Sequence, residues 1–132
     1  MSTEFDYGYK TTVAAPIDEA EAKVREALAA EGFGVLTEID VQGTFEQKLD
    51  EAFRPYRILG ACNPSMAHRA LSEEIDIGLL LPCNVVVYEG DEPGITVVAA
   101  LDPVKQLSVS GADMDELAEE VRDRMKAAIG RL

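Results

Sequence analysis

A short turn between two apolar stretches constrains the fold of this chain more than any other feature. Residues 79–88 and 95–101 are rich in Val and other apolar residues, and the segment EGDEPG at 89–94 lies between them. Gly and Pro in such a segment are typical of a turn, and two strands joined by so short a turn pair antiparallel. A doubly wound parallel sheet is the second alternative. The antiparallel turn argues against it, and so does the absence from the sequence of the Gly-rich phosphate loop that such folds often carry.

Hydrophobic periodicity predicts the other elements. Residues 7–13 alternate with a period of two, and further strands are predicted at 34–41 and 56–62. Helices are predicted after Pro16, ending at Gly32, and over residues 64–74, with Asn63 as the N-cap. Residues 44–53 form either a short helix or an irregular excursion. A last helix buries apolar residues from 114 to 128, and Asp113 with Glu116 resembles a capping box.

This order of elements predicts one α+β domain over residues 1–132. The expected core is β-α-β-β-β-β-α, a single curved antiparallel sheet of about five strands with its helices packed on one face. In the hairpin we expect Tyr88 to lie opposite Ile95.

The charge of the chain limits its partners. It has 25 acidic and 12 basic side chains, a formal net charge of −13. A nucleic-acid-binding surface is cationic, and docking on anionic lipid also requires positive charge, so we expect neither partner. The acidic surface either keeps the protein soluble or reflects adaptation to high intracellular salt. The acidic start of the chain does not resemble a secretory signal, and no apolar run is long enough to span a membrane; we therefore expect a cytoplasmic protein.

Two cysteines in similar surroundings mark the candidate site. Cys62 stands in GACNP and Cys83 in LPCN. In the predicted topology they converge at one end of the sheet with their neighbours Asn63 and Asn84, and with Asp102. We predict that these five residues border a ligand site.

Each of these residues has a structural and a functional interpretation. Cys62 precedes a helix N-terminus, which would lower the pKa of its thiol, yet buried cytosolic cysteines mostly pack as small apolar residues. Asn63 is foremost a helix cap. Asn84 is unusual in a strand and either satisfies a loop or lines a pocket. Asp102 either ends a strand or acts as an acid, base or ligand. No structural disulfide or metal site is predicted, and whether the protein uses a cofactor is left open by the sequence.

The same segments resemble a known family. GACNP at 60–64, LLLPCNVVVY at 79–88, the pair Asp102-Pro103 and EGFGVLTEID at 31–40 are similar to the bacterial and archaeal domain-of-unknown-function family number 302. The resemblance covers residues 7–103 and implies a compact α+β domain, related to the TATA-binding-protein-like architecture and usually a homodimer. It implies no established activity and therefore no catalytic residue.

Three functions stay open. The first is a dimeric small-molecule-binding or interaction module with a site lined by Cys and Asn. The alternative is a thiol-based redox or nucleophilic enzyme, in which Cys62 attacks and Cys83 resolves. The third is a structural domain whose cysteines belong to the core. Whether the protein is an enzyme stays undecided at this point.

Overall fold

The computed structural model describes residues 3–111 and 114–132. Within these ranges the chain forms six strands, five α-helices and one 3-10 helix. The strands are β1 (Thr3–Phe5), β2 (Gly8–Val13), β3 (Gly34–Asp40), β4 (Tyr56–Cys62), β5 (Cys83–Glu89) and β6 (Thr96–Leu101). The helices are α1 (Ile17–Ala30), α2 (Val41–Leu49), α3 (Pro64–Glu73), the 3-10 helix (Ile75–Leu80), α4 (Pro103–Ser108) and α5 (Asp115–Gly130).

The six strands form one sheet in the order β1-β2-β6-β5-β4-β3. Every neighbouring pair is antiparallel, and the helices lie on one side, which confirms the predicted fold class. The additional strand is β1, which pairs with β2 from Thr3 opposite Lys10 to Phe5 opposite Gly8. Three residues are too few for a period of two to be recognised in the sequence.

The predicted hairpin exists, but its register differs. Tyr88 lies opposite Val97 rather than Ile95. Because the shift is two residues and side chains alternate with a period of two, the same side chains still face the helices. The strand predicted from residue 79 begins only at Cys83, because residues 75–80 form the 3-10 helix, and Leu81 N–H donates to the Gly78 carbonyl at 3.2 Å.

The core lies between the sheet and the helices. Helices α1 and α5 bury Val24, Leu28, Val121 and Met125, and β4 to β6 contribute the inward-facing residues Leu59, Val85, Val87 and Val98, all 0 % exposed. These residues follow the helical and strand periods of the sequence.

Capping side chains fix where several helices begin. The Asn63 side chain accepts a hydrogen bond from Met66 N–H at 3.4 Å, which confirms the predicted N-cap of α3. Asp40 accepts from Gly43 N–H at 3.0 Å, so α2 starts before the predicted residue 44. Asp102 accepts from Val104 N–H at 2.9 Å and begins α4, a helix that was not predicted. The predicted capping box falls on Asp113, which lies outside the described residues. Over the two described ranges, no helix is long and apolar enough to cross a membrane.

Candidate functional site

A cavity of about 320 Å³ lies at one end of the sheet, between α3, the 3-10 helix and helices α4 and α5. Its wall is mostly apolar. Phe33, Met66 and Leu107 form deep parts of it, each less than 7 % exposed, and Leu36 is 68 % exposed at its edge. Such an apolar hollow with a few polar groups is the common form of a small-molecule pocket.

Three of the five predicted site residues line this cavity: Cys62, Asn63 and Cys83. The topology brings them together because Ala61 pairs with Cys83 across β4 and β5, which places the end of one strand beside the start of the other. The meeting of both cysteines at one hollow, expected from the sequence, is therefore present in the structure.

The other two candidates lie elsewhere. Asn84 is exposed next to buried Cys83, because consecutive strand residues point to opposite faces. It lines a second hollow on the face away from the helices, with Tyr56, Tyr88 and Lys10. Asp102 is not among the described residues that line the first cavity.

Both thiols are held in their protonated form. Burial raises the pKa of the half-buried Cys62. The pKa of Cys83, which is 8 % exposed, rises to about 11, chiefly through burial and to a lesser extent through the charge that Cys62 carries once it is itself deprotonated. The expected lowering of the Cys62 pKa by the start of α3 is wrong, since desolvation of the thiolate dominates. At neutral pH the two side chains are therefore neutral, weakly polar parts of the wall.

Asn63 serves the helix first. Its Oδ1 accepts from Met66 N–H and, at 3.2 Å, from the Ser65 hydroxyl. The backbone of Gly32 approaches closely: a Cβ at this position would lie 3.0 Å from Asn63 Nδ2. Because of this close approach, a residue with a side chain at position 32 would crowd the Asn63 amide beside the cavity. Gly32 also has a φ of +85°, a conformation that favours glycine.

Gln106 is a cavity residue that the sequence did not reveal. It lies on α4, is 8 % exposed and lines the cavity. Its Nε2 donates to the carbonyls of Leu80 and, at 3.3 Å, Pro82, whereas its Oε1 is buried without a hydrogen-bond partner among the described residues. The available signal was Asp102-Pro103, which repeats the cap-and-proline pattern of Asn63-Pro64 and could have indicated α4.

The comparisons with known proteins concern the whole fold. The sequence matches the family described as Domain of unknown function DUF302 over residues 9–132. The chain belongs to the DUF302 family. A crystal structure of an uncharacterized conserved DUF302 protein from Bacillus stearothermophilus is similar to it, with 30% sequence identity and a TM-score of 0.86, covering 96% of this chain and 98% of that one. A comparison with curated proteins gave no match.

The cysteine segments and Asp102 have different positions in the fold. Cys62, Asn63, Pro82 and Cys83 line the cavity. Asp102 instead joins β2 to α4: its Oδ2 accepts from the Tyr9 hydroxyl at 3.1 Å, while its Oδ1 caps the helix.

Over the described part of the chain, no group of three or more His, Cys, Asp and Glu side chains is placed to hold a metal ion.

Proposed function

We propose that this DUF302 protein binds a small, largely apolar molecule in the cavity beside Cys62 and Cys83. The observation that carries the proposal is the cavity itself, whose volume of about 320 Å³ and apolar wall would bury such a molecule. Removing apolar surface from water is the main source of affinity in a site of this kind, at roughly 25 cal/mol per Å².

The state of the thiols favours binding over thiol chemistry. An attacking cysteine needs a thiolate near neutral pH, and burial raises the pKa of both Cys62 and Cys83. A redox pair of these residues is therefore the weaker candidate. As protonated thiols they add polarizable surface that packs well against apolar ligands.

The direct test is to fill the cavity. Ala67 lines it from α3 and is half-buried, so Ala67→Phe should occupy the space that a ligand needs. Ala127 is exposed on α5, and Ala127→Phe is the matched control. With 1-methylnaphthalene as the probe, calorimetry should give at least a tenfold loss of affinity for Ala67→Phe and none for Ala127→Phe. Equal affinities in both variants would refute the proposal.

The proposal includes a homodimer in the cytoplasm. The sheet face away from the helices carries a hollow lined by Tyr56, Val86, Tyr88 and Leu101, and the Tyr56 and Tyr88 rings stack with centroids 5.2 Å apart. A second copy of the chain packing there would cover this partly apolar surface. Two free cysteines suit a reducing compartment. The net charge of −13 supports an adaptation to high salt.

A further inference from the structure

We propose that the second hollow, on the sheet face away from the helices, binds a planar aromatic carboxylate. This hollow has a volume of about 310 Å³, and its lining residues include members of β1, β2, β4, β5 and β6. Among the described residues, none that lines it also lines the first cavity. A ligand bound here is therefore independent of the ligand proposed for that cavity.

Aromatic rings are concentrated at this hollow. The chain has four Phe and four Tyr residues, and half of them line the hollow: Phe5, Tyr7, Tyr56 and Tyr88. By contrast, only Tyr9 and Phe33 are buried in the core. The four rings contact one another in two pairs, one edge to face with centroids 4.9 Å apart and one stacked. Rings held in this way at a surface offer apolar area to the ring of a ligand.

Small side chains on the central strands leave room for such a ring. Ala99 lies opposite Val86 across β6 and β5, and both are half-buried residues that line the hollow. The volume of about 310 Å³ lies at the lower end for small-molecule pockets. A flat molecule of one or two rings matches it.

Lys10 gives the hollow a positive charge. It is exposed, its Nζ lies 5.4 Å from the centroid of the Phe5 ring, and it forms no salt bridge with another described residue. No Asp or Glu is among the described lining residues. The exposed Asn84 adds an amide that can donate a hydrogen bond, which gives a function to a residue type that is unusual in a strand. These groups favour an anionic ligand.

The net charge of −13 repels anions, but this repulsion acts mainly at long range. At physiological ionic strength, charges farther apart than about 8 Å are largely screened, whereas direct contact with Lys10 is screened less. The first cavity differs in this respect. None of its described lining residues is charged, so a carboxylate buried there would lack a partner. The carboxylate therefore favours the second hollow.

The homodimer proposed above would cover the same face of the sheet. The ligand and the second copy would therefore exclude each other, and a bound aromatic carboxylate would favour the single chain.

The first test compares 2-naphthoate with the neutral 2-naphthamide, which has nearly the same shape, by calorimetry. The wild type should bind naphthoate about fivefold more tightly, a factor appropriate to an exposed ion pair. Lys10→Met should remove this preference. Lys23→Met, at an exposed position on α1, changes the net charge equally and should keep it. The comparison of the two probes on the wild type needs no substitution.

Two cavity-filling variants locate the bound naphthoate. Ala99→Leu should weaken naphthoate binding at least fivefold, while Ala67→Phe, in the first cavity, should leave it unchanged; circular dichroism checks that both variants fold. Equal binding of the two probes to the wild type would refute the inference. Loss of naphthoate in Ala67→Phe alone would also refute it, by placing naphthoate in the first cavity. A wild-type dimer that binds no naphthoate would assign this face to the second copy instead. In each case the proposal for the first cavity keeps its own test with 1-methylnaphthalene.

Discussion

Removing the Asp102 carboxylate separates a structural role of this residue from a role in the ligand site. Asp102 is 7 % exposed, and its two oxygens have different partners, the Tyr9 hydroxyl at 3.1 Å and Val104 N–H at 2.9 Å. The residue therefore links β2 to the start of α4. We expect Asp102→Ala to lower the stability of the fold rather than to change the cavity wall.

The magnitude follows from the two bonds. Loss of an N-cap destabilises by about 1 kcal/mol. Loss of its acceptor leaves the hydroxyl of Tyr9, a residue only 2 % exposed, buried and unpaired, which costs about 1–3 kcal/mol. The free energy of unfolding should fall by about 2–4 kcal/mol, and the melting temperature by about 10 °C for a domain of this size. Asp102→Asn should lose less, because the amide oxygen still caps the helix and the amide N–H can donate to the Tyr9 oxygen.

Urea denaturation followed by circular dichroism measures this loss, and Tyr9→Phe completes a double-mutant cycle. The loss in Asp102→Ala/Tyr9→Phe should be smaller than the sum of the single losses by about 1 kcal/mol or more, because the phenylalanine leaves no hydroxyl unpaired. Strictly additive losses would refute the pairing. A folded Asp102→Asn protein that no longer binds 1-methylnaphthalene would instead place Asp102 in the ligand site.

Three further predictions concern stability. The pKa of Cys83 is raised to about 11 and that of Tyr9 to about 12, chiefly by burial. Because both groups lose their protons at a lower pH in the unfolded chain, the free energy of unfolding should fall between about pH 9 and pH 12. Urea titrations at each pH measure this decline, and Cys83→Ala should flatten its lower part. A Cβ on Gly60 would collide with the Thr37 side chain and lie 2.8 Å from Pro82, so Gly60→Ala should destabilise by about 1–3 kcal/mol, whereas Gly34→Ala, with nothing within 4 Å, should not. With a net charge of −13, the melting temperature should be higher in molar KCl than in dilute buffer; an equal or lower value there would remove the salt adaptation.

Local signals predicted the elements that depend on local physics. Strand β4 matches its predicted bounds of 56–62, because its apolar run ends at the cap Asn63 and the proline that follows. The predicted strand 79–88 included Leu79 and Leu80, the last two residues of the 3-10 helix, because a short apolar run has the same composition in either structure. Contacts with α3 and α4 decide between them, and these contacts are not visible in the local sequence.

The sequence could predict only those parts of the candidate site whose positions are set by the pairing of neighbouring strands. The convergence of Cys62 and Cys83 follows from β4 and β5 being neighbours. The separation of Cys83 from Asn84 also follows from the period of two and could have been predicted. The position of Gln106 could not, because it depends on α4 folding back over the 3-10 helix, a long-range contact that no spacing in the sequence encodes.

The apolar character of the cavity and the raised pKa of its two thiols have a single cause. Burial removes the water that would stabilise a thiolate, and this raises the pKa of both cysteines. The same exclusion of water makes the cavity favourable for an apolar molecule. A wall polar enough to ionise Cys62 would therefore bind such a molecule less well. The proposed binding of apolar ligands and thiolate chemistry at neutral pH therefore have opposite requirements for water in the cavity, and the burial of Cys83 favours the proposed binding.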